Sequence, residues 1–154
     1  MTRSEQARPM PADASRIVET IFGMRGNATR LDGEYDDNFL ITSGDGARHV
    51  LKIAPAEERQ DLLELQLAAM ERIASASPRV GVPRPVLSGS GSLLPSIDWG
   101  GERRFARLLT YIPGELLARV RPQSASLLRS FGAALGNLDK ALLTFTHPAA
   151  GRVL

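Results

Sequence analysis

The sequence contains no cysteine. A disulfide framework, a thiolate metal site and a cysteine nucleophile are thereby excluded, and a reducing, cytoplasmic setting is the expectation. Histidine occurs only as His49 and His147, and no Asp/Glu pair stands with either at metal-ligand spacing. Aromatic residues make up 5% of the chain, so Trp99, Tyr35 and Tyr111 do not build a nucleic-acid stacking platform. A formal net charge of +2 does not imply a nucleic-acid partner either. No apolar run approaches the roughly 18–20 residues that span a bilayer, so no membrane partner is expected. The polar start, MTRSEQARPMPADAS, lacks the apolar segment of a signal peptide. Neither a G-x-S-x-G nucleophile elbow nor a G-x-x-x-x-G-K-[ST] phosphate loop occurs.

What remains is a chain of 154 residues, 43% hydrophobic and 23% charged, enough for one globular domain with its own core. Charge is spread unevenly. Residues 31–45 carry Asp32, Glu34, Asp36, Asp37 and Asp45 without a Lys or Arg, and residues 101–130 carry six arginines against Glu102 and Glu115. The plainest reading of both runs is solvated loops and helix faces.

Ile17, Val18, Ile21 and Phe22 lie at helical spacing and predict a helix over Ala12–Met24, with Gly23 and Gly26 able to end it. An extended stretch is expected near Ala28–Leu31. Asn38–Thr42 and Arg48–Ala54 read as a hairpin around Ser43-Gly44-Asp45-Gly46. Pro55, followed by Glu57 and Glu58, suggests a helix start, and that helix is expected to reach about Ala74. One short strand near Pro85–Ser88 and a second at Arg104–Tyr111 follow, the latter stopped by Pro113-Gly114. GSGS at 89–92 reads as a flexible loop. Ser124–Leu143 is expected as a long helix with Leu127, Phe131, Ala134, Leu138 and Leu142 along one side. Clustered strands with a single inserted helix indicate an α+β fold, an antiparallel sheet packed by that helix.

The inserted helix bears on Lys52. With Gln66 set at zero on a helical wheel, Leu62, Leu63, Ala69, Met70 and Ile73 fall within about 60° of it, which places Gln66 at the centre of an apolar face looking onto the sheet. The plainer reading of this spacing is that Lys52 snorkels from a strand end and Gln66 bonds a loop backbone. The other reading is a lysine that contacts nucleotide phosphates and is oriented by a polar residue of the packed helix.

Five segments in register favour the second. LDGEYDDNFLI…HVLKIA, LELQLAAMERIA, VPRPV, RLLTYIPGELLA and LGNLDKALLTFTHPA together resemble the aminoglycoside phosphotransferase and choline kinase-like superfamily, in particular its hydroxylysine kinase-like branch and the phosphotransferase domains fused to class III aminotransferases. The resemblance runs from about Ala12 to Leu154. It implies an N-terminal helix region (1–26), a protein-kinase-like N-lobe (27–113), and a linker with the first helix of a C-lobe (114–154). Lys52 would anchor phosphate, and Gln66 would stand where the wider superfamily usually has glutamate. Thr110, Tyr111 and Ile112 would form the hinge that meets the purine. Glu34–Phe39 replaces a glycine-rich roof. There Asp37 or Asn38 would cap the turn and Phe39 would pack beneath, although an acidic solvated loop is an equally open reading.

The implied cofactor is ATP or GTP with Mg2+. The implied partners are a nucleotide and a small amine-bearing acceptor. No H-G-D-x-x-x-x-N loop and no second metal-binding aspartate follow, so neither a catalytic nor a metal residue is assigned. His147-Pro148 resembles the stretch just before the second-lobe core. The chain alone is expected to be inactive and to expose the stripe of its last helix, which invites self-association. The alternative is a stand-alone, non-catalytic module that binds a nucleotide or a protein with the same fold.

Overall fold

The computed structural model describes residues 8–151. Pro11–Phe22 forms helix α1. Proline suits this start because its missing N–H is one that a first turn leaves unbonded anyway. Asp13 accepts a hydrogen bond from the Met10 N–H at 2.9 Å, and Gly23, at φ 66°, ends the helix in the left-handed region. Strands β1 (Asn27–Leu31), β2 (Asp37–Thr42) and β3 (Arg48–Ile53) follow. In the β2–β3 turn the Gly46 N–H donates to Ser43 O at 2.9 Å, and the Asp45 carboxylate accepts from the Ala47 N–H at 3.0 Å. Glycine and aspartate thus serve the turn as their chemistry predicts.

Helix α2 spans Gln60–Ala76, which corrects the expected start at Pro55. The residues from Pro55 form a turn instead, closed by the Glu58 N–H on Pro55 O at 3.1 Å. The φ that proline fixes suits a turn as well as a helix start. Three strands then follow rather than two: β4 (Pro85–Val86), β5 (Ser96–Trp99) and β6 (Glu102–Thr110). Strands β5 and β6 join through Gly100-Gly101, whose φ values of 63° and 80° are those a two-residue hairpin loop requires. Short 3-10 turns at Leu117–Arg119 and Pro148–Gly151 flank helix α3 (Ala125–Leu142). The Ser124 hydroxyl caps α3 by accepting from the Leu127 N–H at 3.1 Å.

The fold is α+β. Its antiparallel sheet runs β1-β2-β3-β6-β4, with β5 paired to β6. The helix that packs its main core is α1, which corrects the expectation that α2 does so alone. Ala14, Ile17, Val18 and Phe22 of α1 bury against Phe39, Ile41, Leu51, Ile53, Ile97, Ala106 and Leu108. Each fully buried large side chain contributes about 1.5–3 kcal/mol before the entropy of ordering is set against it. Helix α2 lies over the other face and buries Leu63, Leu67 and Ile73. Gln66 is exposed at the edge of that stripe, not at its centre as the helical wheel predicts. The Arg72 guanidinium joins α2 to the end of α3 through Ala141 O at 3.1 Å and Thr144 Oγ1 at 3.0 Å. Along α3, Leu128, Phe131 and Leu135 are exposed, while Leu127, Leu138 and Leu142 are half-buried. No helix of the described residues is long and apolar enough to cross a membrane.

Candidate functional site

Strand register builds the site. Lys52 pairs with Asn38 on β2 and with Arg107 on β6. Its neighbours Leu51 and Ile53, and the neighbours Ala106 and Leu108 of Arg107, all point into the α1 core. Side chains alternate along a strand, so Asn38, Lys52 and Arg107 form one row on the opposite face. Lys52 Nζ donates to Asn38 Oδ1 at 2.7 Å and pairs with Asp36 Oδ2 at 2.9 Å. An ammonium has three N–H donors. Among the described residues the third meets no partner, and the Lys52 side chain keeps 27% of its surface exposed.

Two residues of this row escape a reading of the sequence. Asp36 is held by Lys52 and also by Arg107 Nη2, at 2.8 Å through the same Oδ2. Arg107 is 2% exposed and donates its other terminal nitrogen to Gln66 Oε1. Helix α2 therefore presents Gln66 to Arg107, and the sheet presents Arg107 to Asp36, with Lys52 next in line. The alternation that puts Asn38 beside Lys52 is the signal that would have found Asp36, two residues back on the same side. Gly33 fits against this corner. A Cβ there would meet Asn38 Nδ2 at 2.0 Å and Asp36 O at 2.8 Å, so a side chain would push the roof off the lysine.

Asp37 and Phe39 lie on the other side of the sheet. Phe39 is in the α1 core with the Arg30 guanidinium 4.8 Å from its ring centroid. Asp37 is buried and accepts from Arg104 at 2.8 Å, Arg8 at 3.0 Å and Arg30 at 3.3 Å. Burial pushes its carboxyl up, but the Arg104 hydrogen bond and charge, with Arg8 and Arg30, outweigh this and hold it below the usual carboxylate range. Arg104 also donates to Ala54 O at 2.7 Å. The solvated reading of both charge runs is thus corrected at buried Asp37 and Arg107 and at half-buried Arg104, all held in ion pairs that only the register reveals.

Strand β6 ends at Thr110, and the chain runs on through Tyr111 and Ile112. The Thr110 N–H donates to Arg84 O at 2.9 Å and the Tyr111 N–H to Arg48 O at 3.1 Å. The Arg48 guanidinium stacks 4.2 Å from the Tyr111 ring centroid. Thr110 Oγ1 accepts from the Arg84 N–H at 2.8 Å. Two of the three segment amides are thus spent inside the sheet, and Ile112, 45% exposed, follows them. An open groove lined by Ser15, Arg16, Glu19, Arg25 and Thr42 lies at the other end of β2. Its arginines are paired with Asp13 and Glu19, so it offers no free cation row. Among the described residues no group of three or more His, Asp or Glu is placed to hold a metal ion.

A lysine on an antiparallel sheet, a helix over the same face, and a connecting segment running on to a long helix make up a kinase-like lobe. Solved structures of that class match the fold. An amicoumacin kinase in complex with AMP-PNP, Ca2+ and Ami superposes with a TM-score of 0.77 at 17% identity, covering 92% of this chain and 42% of that one. A microcompartment-associated aminopropanol kinase gives 0.71 at 16% identity, covering 92% and 44%. The chain belongs to the phosphotransferase enzyme family, whose family model matches residues 27–152. It is 26% identical over 152 residues to a hydroxylysine kinase of Danio rerio, covering 96% of this chain and 42% of that protein. To a hydroxylysine kinase of Xenopus laevis it is 33% identical over 150 residues, covering 88% and 39%. The chain thus spans about two-fifths of the length of these curated relatives.

Proposed function

We propose that the chain is the nucleotide-binding lobe of a phosphotransferase that moves the γ-phosphate of ATP or GTP to a hydroxyl of a small amine-bearing metabolite. One observation carries the nucleotide half. Lys52 is a half-buried ammonium with two donors fixed by Asp36 and Asn38 and a third left for a phosphate oxygen. Ile112, in the segment beyond β6, is the hinge residue that meets the purine edge. The acceptor half draws on the relatives: hydroxylysine and aminopropanol, in their names, are both amine-bearing alcohols. Mg2+, when bound, would shield phosphate charge.

In this reading residues 1–26 are an N-terminal helix region, 27–113 the lobe, and 114–154 the linker and first helix of a second lobe, of which residues 1–7 and 152–154 lie outside the described residues. With no H-G-D-x-x-x-x-N loop in the sequence, the chain on its own transfers no phosphate. The exposed Leu128, Phe131 and Leu135 of α3 favour one further property, self-association of the chain through that helix. Equilibrium binding of a fluorescent ATP analogue with Mg2+ tests the central role. Lys52→Met is expected to abolish binding while leaving the cooperative unfolding transition in place. Equal binding by wild type and Lys52→Met overturns the anchoring role.

A further inference from the structure

We infer that Arg107 is a positioning residue that shares Asp36 with Lys52 and so keeps Lys52 exchangeable for a polyphosphate. The inference rests on the phosphate reading of Lys52. Both cations reach one carboxylate oxygen, Asp36 Oδ2, Lys52 at 2.9 Å and Arg107 at 2.8 Å. Two like charges on one acceptor repel, so each weakens the hold of the other. They are not equally free to leave. Arg107 is 2% exposed, a rigid fork fixed at its far nitrogen by Gln66, and its Nε finds no partner among the described residues. Lys52 is 27% exposed on a flexible four-carbon stem. An arriving phosphate therefore draws Lys52 away, and Asp36 stays with Arg107, keeping the roof segment in place.

The neutral amide of Gln66 belongs to the same arrangement. A carboxylate at that position would pair with Arg107 and return Asp36 to Lys52, which would then be neutralised before any phosphate arrived. With glutamine there, the charged groups of the row are Lys52, Arg107 and Asp36, and one positive charge remains for the ligand.

The test is the acylation rate of Lys52 by acetyl N-hydroxysuccinimide, read by peptide mass spectrometry on the full 154-residue chain. An amine held against a carboxylate presents its nitrogen less to the reagent and reacts slowly. Arg107→Met gives Asp36 wholly to Lys52 and is expected to slow labelling about tenfold, the weight of one charge-assisted hydrogen bond. Asp36→Asn speeds it, and Arg107→Met slows labelling less in the Asp36→Asn background than in wild type. A merely structural arginine predicts the reverse, faster labelling in Arg107→Met with no dependence on Asp36, and that result overturns the inference. Should Arg107→Met not fold, Gln66→Glu at an exposed position decides instead. Slower labelling supports the inference, and unchanged or faster labelling overturns it. Adding MgATP to the wild-type reaction separates the two claims. Absence of protection refutes the nucleotide reading, while the order of rates in the ligand-free variants still decides the role of Arg107.

Discussion

Asp36 and Asp37 are neighbours in the chain and lie on opposite sides of the sheet. Asp36 joins Lys52 and Arg107 on the open face, and Asp37 is locked to Arg104, Arg30 and Arg8 on the core face. Their substitutions should therefore differ in kind. Asp37→Asn leaves the half-buried Arg104 without its counter-charge and is expected to cost about 3 kcal/mol of unfolding free energy, read from urea denaturation. The pH dependence has a fixed sign. The Asp37 carboxyl is held below its ordinary value of 3.8. Its contribution is thus fully present above that value and is lost as pH falls through the lower folded-state value. Wild type should lose this increment below about pH 4, and Asp37→Asn should show a flatter curve there. A parallel pair of curves would refute the pairing. None of this is readable from residue type alone. Aspartate and arginine are normally solvated, and only the β2–β3–β6 register reveals that four of them face inward or across one another.

Among the elements, those with a strong local signal were legible and those set by tertiary contact were not. The β2–β3 hairpin declares itself through alternation and a Gly/Asp turn, and α1 and α3 through apolar spacing between caps. Strand β5 is short and carries Asp98, so it lacks an apolar run, although the Gly100-Gly101 pair was a usable turn signal. The start of α2 was misplaced because proline serves turns and helices alike. The burial of its face also depended on α1 already occupying the other side of the sheet. Helix α2 is also the element that joins the lysine row to α3, through Gln66 at one point and Arg72 at another. Arg72→Ala should release the end of α3, costing about 1 kcal/mol for the hydrogen bonds lost. Amide hydrogen exchange over residues 138–145 would accelerate while the β2–β3 ladder stays protected. Equal protection in wild type and variant would show that Arg72 does not dock α3.

For the whole molecule, the family match and the kinase-like fold were legible because five segments stand in order along the chain. The lysine row was only partly so. Lys52 and Asn38 meet, Gln66 reaches the row through Arg107, and Asp37 and Phe39 turn away from it. The chain spans about two-fifths of its curated relatives, and its long helix carries an apolar stripe toward solvent. Sedimentation equilibrium is accordingly expected to show concentration-dependent association that Phe131→Glu on α3 abolishes, and a monomer at all concentrations would contradict the role of that stripe. The most direct test of the central claim, that the Lys52 face receives the nucleotide, is a titration of MgATP into the isotopically labelled chain followed by amide NMR. The account predicts that the largest shifts fall at residues 36–38, 52 and 110–112. Shifts confined to the groove between α1 and the β2–β3 turn, or none at saturating nucleotide, would contradict it.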